Sequence, residues 1–323
     1  MKRDFLDRNL ALEAVRVTEA AALSSSLHMG RGNEKAADQA AVNAMRSFLN
    51  SLAIEGKVII GEGERDKAPM LYIGEKVGKG GPKLDIALDP LEGTTITAQG
   101  GENALSVLAM AEEGGFLHSP DIYMHKIAYG KKYEGLTIDP ESPPNEIIKK
   151  FSKYSDLNMK NIVVCILDRH RHKELISNVR QTGARIKLIP DGDVSAVIAT
   201  SIENSGVDIY MGIGGSPEGV LAAAALRCMG GKIYSKLIFS NELEKERAKS
   251  MGINDIEKIY TTNDLASGDV MFSATGVTDG TMLKGVLIKN DIASTQSVVM
   301  RSKSKTVRYV NADHNLSIKN III

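Results

Sequence analysis

The stretch Leu84-Asp-Ile-Ala-Leu-Asp-Pro-Leu-Glu-Gly-Thr94 runs from an apolar segment straight into a turn bearing two carboxylates and a hydroxyl. Leu84 to Leu88 reads as a strand, Asp89 and Glu92 lie either side of a Pro-containing turn, and Thr94 follows two residues later. A second apolar run ends the same way: Lys57-Val-Ile-Ile60 leads into Gly61-Glu-Gly-Glu64, with Asp66 just beyond. A third runs from Ala104 to Met110, and Gly- or Pro-containing turns between the runs suit a sheet with short connections. Oxygen donors from separate strand ends fit hard cations such as Mg²⁺ or Mn²⁺. Gly-Glu-Gly-Glu alone reads first as a solvated acidic turn. Asp-Pro-Leu-Glu-Gly-Thr is more specific, and its chemistry is metal-assisted phosphate-ester hydrolysis: carboxylates hold cations, and a hydroxyl orients the attacking water.

Upstream, an Ala-rich segment from Leu10 to Leu27 is predicted as a helix stopped by Gly30-Arg-Gly32. A second helix is predicted over 34–52, where Asp38 shares a face with Val42, Met45, Leu49 and Leu52. A carboxylate aimed inward needs a partner. Downstream, Asp139-Pro-Glu-Ser-Pro-Pro-Asn145 is the linker candidate, dividing an N-terminal metal-binding half (1–138) from a substrate half (146–323), the two packed as one unit. After it, strands at 161–167, 185–189 and 207–211 alternate with helices at 173–181, 194–202 and 217–229, the pattern of a parallel βαβ half. Short strand-like pieces recur at Val298–Met300 and Thr306–Val310. The fold class is α/β, with α and β mixed.

Ligands in parallel sheets bind beyond the carboxyl ends of strands. Those ends here are Asp168-Arg-His-Arg-His172, Pro190-Asp-Gly-Asp193 and Gly212-Ile-Gly-Gly-Ser-Pro-Glu-Gly219. Each alone is also an ordinary loop or helix cap, with Pro217 and Glu218 suiting a first helical turn. A dinucleotide fingerprint is excluded, because Pro217 stands where a glycine is required and Glu218 would repel a phosphate. That glutamate is useful if a divalent cation sits between it and a phosphate. No Cys or His cluster has zinc spacing, and His170 with His172 reads as a surface loop before it reads as a metal pair.

The 323 residues carry 40 Lys+Arg against 40 Asp+Glu, which argues against a nucleic-acid partner, and 5% aromatic content without Trp disfavours base-stacking platforms. Cys165 and Cys228 sit in apolar runs and read as buried free thiols. Met1 to Arg8 has no apolar signal region, and no run of about 18 apolar residues occurs, so the expectation is a cytoplasmic protein with no membrane role.

Several of these stretches, joined by Gly61-Glu-Gly-Glu-Arg-Asp-Lys-Ala-Pro-Met-Leu-Tyr-Ile-Gly-Glu75, Pro120-Asp-Ile-Tyr-Met124 and Phe272-Ser-Ala-Thr-Gly-Val-Thr-Asp-Gly280, resemble the class II fructose-1,6-bisphosphatases of bacteria from about Leu12 to His314. The resemblance implies the sugar-phosphatase fold, an αβαβα layered sandwich shared with inositol monophosphatases, dependence on Mn²⁺ or Mg²⁺, a place in gluconeogenesis and a homodimer or homotetramer. It makes Asp38 and Glu62 ligands of one metal and Asp89, Glu92 and Glu218 ligands of a second. Thr94 becomes the catalytic threonine that positions water activated by the metal. Substrate contacts fall on Glu92, Gly93, Thr94, Tyr123, Arg169, His170, Arg171, Asp191, Gly192, Asp193 and Gly215. Arg169 and Arg171 suit the non-reacting phosphate, Asp191 and Asp193 suit sugar hydroxyls, and Tyr123 is alternatively a packed strand tyrosine. Asp66 either assists water activation or supports the metal site.

This chain departs from the family where many members carry Asp-Lys after Gly-Arg-Gly: it has Asn33 and Glu34, with Lys35 the nearest substitute. It also has His170 where proline is common. The implied reaction is hydrolysis of fructose 1,6-bisphosphate to fructose 6-phosphate and phosphate. The alternatives are a sedoheptulose-1,7-bisphosphatase, an inositol-phosphate phosphatase, or a non-catalytic sugar-phosphate-binding protein.

Overall fold

The computed structural model describes residues 6–63 and 69–319. Two compact units emerge, one built from the chain up to Gly115 together with the chain from Gly268 onward, the other from Phe116–Ser267. In chain order the first unit opens with α1 (Leu6–Ser26), α2 (Glu34–Leu49), β1 (Glu55–Ile60), β2 (Lys76–Val77), β3 (Lys83–Glu92), α3 (Thr94–Gln99) and β4 (Leu105–Glu112). The second contains β5 (Tyr123–Tyr129), α4 (Pro144–Ser155), β6 (Val163–Leu167), α5 (Lys173–Gln181), β7 (Arg185–Ile189), α6 (Asp193–Ala199), β8 (Ile209–Gly215), α7 (Ser216–Met229), β9 (Lys232–Ile238), α8 (Glu242–Ser250), β10 (Ile259–Thr261) and α9 (Thr262–Leu265). The chain then returns to the first with β11 (Val270–Gly276), β12 (Leu287–Lys289), β13 (Ile292–Arg301), β14 (Thr306–Asn315) and α10 (Leu316–Lys319). The α/β class read from the sequence is the class observed. The Pro-rich stretch at Asp139–Asn145 lies within the second unit and leads into α4. Among the described residues no helix is long and apolar enough to cross a membrane.

The first unit's sheet has the order β12-β13-β11-β4-β3-β1-β2, with β14 pairing β13. β1 and β3 run parallel, whereas β3, β4, β11, β13 and β14 alternate in direction. The α2 helix starts where Asn33 caps it by accepting the N–H of Ala36 at 3.1 Å, so the Asn33-Glu34 departure has a local role as a helix start. It ends at Leu49, three residues earlier than the apolar stripe suggests, because Ser51 and Leu52 donate to Phe48 and Leu49 in tighter turns. Small residues Ala14, Val17, Ala21, Ala37 and Ala41 bring the two helices onto Val58, Ile86, Leu88 and Leu108 in one core. On the face toward α1, Thr18, Ser273, Thr275 and Ser297 are buried yet joined by hydroxyl contacts of 2.8–3.2 Å, so their burial leaves no orphaned group among them.

The second sheet has the order β10-β9-β5-β8-β6-β7. β6, β7 and β8 are mutually parallel as expected, but β5 runs antiparallel to both β8 and β9, and β10 is antiparallel to β9. The purely parallel reading is corrected: the β8–α7–β9 crossover spans a strand that entered the sheet earlier in the chain. Tyr129, Tyr133 and Phe151 anchor the core, with Tyr133 and Phe151 ring centroids 4.6 Å apart in an edge-on arrangement. Both cysteines are free and buried, and burial pushes the Cys165 thiol up to about 11.

Leu49 is completely buried in the helix–sheet core, whereas Leu243 on α8 is 77% exposed. Leu49→Ala is expected to lower unfolding free energy by about 2–5 kcal/mol, and Leu243→Ala to change it by less than about 0.5 kcal/mol, both read by urea denaturation.

Candidate active site

Parallel neighbours end at the same edge of a sheet, so the C-terminal ends of β1 and β3 bring Gly61-Glu62 and the Asp89–Thr94 turn to one side of the first unit. The β3–β4 register passes from Asp89↔Val107 to Glu92↔Leu105, three steps on one strand against two on the other. Pro90 has no N–H for the ladder, and Asp89 Oδ1 accepts the N–H of Leu91 at 3.1 Å, so the extra residue forms a stable bulge. Glu92 is buried and Asp89 half-buried. Gly93 follows with φ 91°, a left-handed conformation that starts α3 with Thr94 as its first residue, half-buried. Asp38, half-buried on α2, belongs to a helix that packs on β3 and α3. Glu62 is also half-buried, while Glu64 and Asp66 lie outside the described residues. Among the described residues no three His, Cys, Asp or Glu side chains are gathered as a metal-holding group. Lys35 is exposed.

In the second unit the carboxyl ends of β6, β7 and β8 share an edge with the start of the antiparallel β5, where Tyr123 pairs with Gly215. Arg169 reaches Asp191 at 3.2 Å, both partly exposed. Arg171 donates Nε to the carbonyl of Ile213 at 3.0 Å and lays its guanidinium over the Tyr123 ring at 4.8 Å. Tyr123 is 41% exposed. A guanidinium stacked on an exposed phenol is chemistry that suits an anion. His170 is exposed. His172 is buried and fully used: Nδ1 donates to the Leu167 carbonyl at 2.7 Å and Nε2 accepts the N–H of Ile213 at 2.8 Å. That fixes one neutral tautomer and removes the His170/His172 metal-pair alternative.

Asp193, the first residue of α6 after the left-handed Gly192, is buried. Its Oδ2 accepts from Lys126 Nζ at 2.6 Å and from the Tyr210 hydroxyl at 3.4 Å, so that oxygen is committed inside the protein rather than offered to a sugar. Lys126 and Tyr210 escaped the sequence reading. The signal was a single lysine inside the apolar run Met124-His-Lys-Ile-Ala-Tyr129. Gly214 leaves room for this pair, since a Cβ there would meet Asp193 Oδ2 at 2.0 Å. Gly215 does the same for Glu218, whose Oε2 would stand 1.9 Å from an added Cβ. Glu218 Oε2 is shielded from solvent and accepts no hydrogen bond. Burial pushes its carboxyl pKa up, with Lys126 opposing and Asp193 reinforcing the rise. A buried carboxylate oxygen without a proton donor suits a cation. Asp38, Glu62, Asp89 and Glu92 in the first unit and Glu218 in the second are oxygen donors of the kind a hard divalent ion prefers to thiol or imidazole.

The family model described as bacterial fructose-1,6-bisphosphatase, glpX-encoded, matches residues 8–314. A protein of Synechococcus sp. (strain JA-2-3B'a(2-13)) named D-fructose 1,6-bisphosphatase class 2/sedoheptulose 1,7-bisphosphatase is 41% identical, covering 96% of this chain and 96% of its own. One of the same name from Crocosphaera subtropica (strain ATCC 51142 / BH68) is 42% identical, covering 96% and 97%.

Removing Lys126 leaves Asp193 as a buried charge without its cation, so Lys126→Met is expected to destabilise the protein by about 3–5 kcal/mol in denaturant titrations. Burial also lowers the pKa of His172 and His125 below the ordinary 6.5. Above that value both are neutral in the folded and unfolded chain. As pH falls through it, the unfolded chain takes up protons the folded chain refuses, and stability is lost. Unfolding free energy should therefore decline between about pH 7 and pH 5, with a shallower slope in His172→Gln.

Proposed function

The chain belongs to the glpX-encoded bacterial fructose-1,6-bisphosphatase family, and from that premise we infer that it hydrolyses fructose 1,6-bisphosphate at the 1-phosphate, releasing fructose 6-phosphate and inorganic phosphate. The observation that carries this reading beyond membership is the Asp89–Thr94 bulge, which delivers two carboxylates and a hydroxyl at the start of a helix beside the end of a parallel strand. Asp38, Glu62, Asp89, Glu92 and Glu218 would hold divalent cations, Mn²⁺ or Mg²⁺ by donor chemistry. When bound, such cations neutralise phosphoryl charge and make water more acidic.

The chain's own residues supply position and proton control. Thr94, fixed at the first position of α3 by the left-handed Gly93, offers a hydroxyl oxygen that accepts a hydrogen bond from the attacking water and so orients the water's lone pair toward phosphorus, in line with the departing sugar oxygen. Arg171, held flat by Tyr123 and the Ile213 carbonyl, pairs with the distal phosphate, and Arg169 is kept extended by Asp191. Asp191 and the backbone around Gly192 and Gly215 face the sugar hydroxyls. Asp193 acts from beneath, holding that turn to Lys126. His170 lies on the same exposed turn. The relatives' shared name supports a second substrate, sedoheptulose 1,7-bisphosphate, whose additional carbon leaves both phosphate ends chemically alike. The reading further places the enzyme in the cytoplasm, as a homodimer or homotetramer serving gluconeogenesis.

Phosphate release by the purified chain is expected from both bisphosphates, to stop in EDTA and to return with Mn²⁺ or Mg²⁺. Activity persisting after complete cation removal would overturn the reading. Thr94→Ala should lower kcat by about 10²–10⁴-fold with little change in KM, because the hydroxyl acts on charge that develops only during attack. Thr94→Ser should recover most of the loss.

A further inference from the structure

One partly buried ion pair in the first unit is linked to Glu62 through the backbone of Leu71. Arg46, in the last turn of α2, places Nε 2.6 Å from Glu75 Oε1, and the Glu75 side chain is 6% exposed. The other oxygen of Glu75 accepts the backbone N–H of Leu71. Leu71 is fully buried with φ 55°, a left-handed conformation that a branched apolar residue adopts only when its surroundings demand it. The carbonyl of that residue in turn accepts the N–H of Glu62 at 3.1 Å. The glycines flanking Glu62 show how closely the two backbones run. A Cβ on Gly61 would meet the Leu71 carbonyl oxygen at 2.2 Å, and one on Gly63 would meet Tyr72 Cβ at 2.3 Å. The turn is stitched to β1 as well, through Val58 N–H to the Glu75 carbonyl at 2.9 Å and Gly74 N–H to the Val58 carbonyl at 2.8 Å. Arg46 thus connects the backbone that sets Glu62 to the helix that carries Asp38.

We propose that Arg46 and Glu75 are positioning residues, a brace that fixes Glu62 relative to Asp38 so that both carboxylates serve one divalent cation. This rests on the cation reading given above. Neither residue touches the reacting atoms; each acts through Leu71. A partner behind a metal ligand that is lost commonly weakens metal binding by about 10–100-fold.

The test is Mn²⁺ titration of the metal-free full chain by calorimetry, with substrate absent. Glu62→Gln identifies the site in question. Arg46→Met and Glu75→Gln should each weaken that site by about 10–100-fold, and Glu75→Gln added to Glu62→Gln should weaken it by less than about twofold more, as expected when two changes act through one ligand. Arg301→Met, which breaks the partly buried pair with Asp269 elsewhere in the same unit, should leave the affinity unchanged. Glu75→Gln keeps an oxygen for the Leu71 N–H and so guards against simple misfolding. Wild-type Mn²⁺ affinity in folded Arg46→Met and Glu75→Gln, or an equal loss in Arg301→Met, overturns the brace while leaving the cation reading in place. If Glu62→Gln itself binds Mn²⁺ as the wild type does, the cation reading fails and the brace falls with it.

Discussion

The parallel pairing of β1 with β3 governs everything the first unit can do. Its register runs from Glu55↔Lys83 to Ile60↔Ala87, and because both strands travel in one direction, both stop at one edge. A slip by one residue would turn Val58 and Ile86 out of the core and rotate the turn that follows. Burial of Val58, Ile86 and Leu88 against α1 and α2 therefore specifies the position of the carboxylates as strictly as it specifies the core. The second unit repeats the rule with β6, β7 and β8, and adds Tyr123 because an antiparallel strand begins where its neighbour ends.

What could be read from the sequence was local. The limits of α5 and β7 match their periodicity to the residue, and the Asp89–Thr94 turn stood out because proline, glycine and carboxylates have few other reasons to coincide at a strand end. The long strands β13 and β14 were legible only as fragments, since Ser294, Thr295, Gln296 and Ser297 give no hydropathic signal. Thr295 and Ser297 are nonetheless buried, and their hydroxyls find partners on β14 and β11, 19 and 22 residues away, and on α1, 276 residues away. The insertion of β5 between β8 and β9 was invisible for the same reason. Asp193 was recognisable as belonging to a site, but its role depended on Lys126, 67 residues away in the chain.

Each unit ties a turn to a neighbouring element through an ion pair, buried for Lys126 with Asp193 and partly buried for Arg46 with Glu75. Charges removed from water contribute little net stability when compared with apolar replacements of equal size, but they penalise every arrangement in which they are separated. Lys126 with Asp193 and Arg46 with Glu75 therefore narrow the set of backbone paths open to the segments they hold. Glycines at 61, 63, 214 and 215 permit the close approach, and the charges make it the preferred one.

Phe116 and Ala266 form a bridge, and Leu117 donates to the Leu265 carbonyl, so the second unit's entry and exit strands lie side by side at its base. The first unit is consequently discontinuous in the chain, and β4 lacks its neighbour β11 until residues beyond Gly268 have been made. At ribosomal rates of about 5–20 residues per second, translating the intervening segment occupies roughly 8–30 s. During that interval the second unit can complete itself, while the apolar edge of β4 waits with unpaired backbone groups exposed to the nascent-chain environment. The order of maturation is thereby written into the topology: the inserted unit closes first, and the sheet that began the chain closes last.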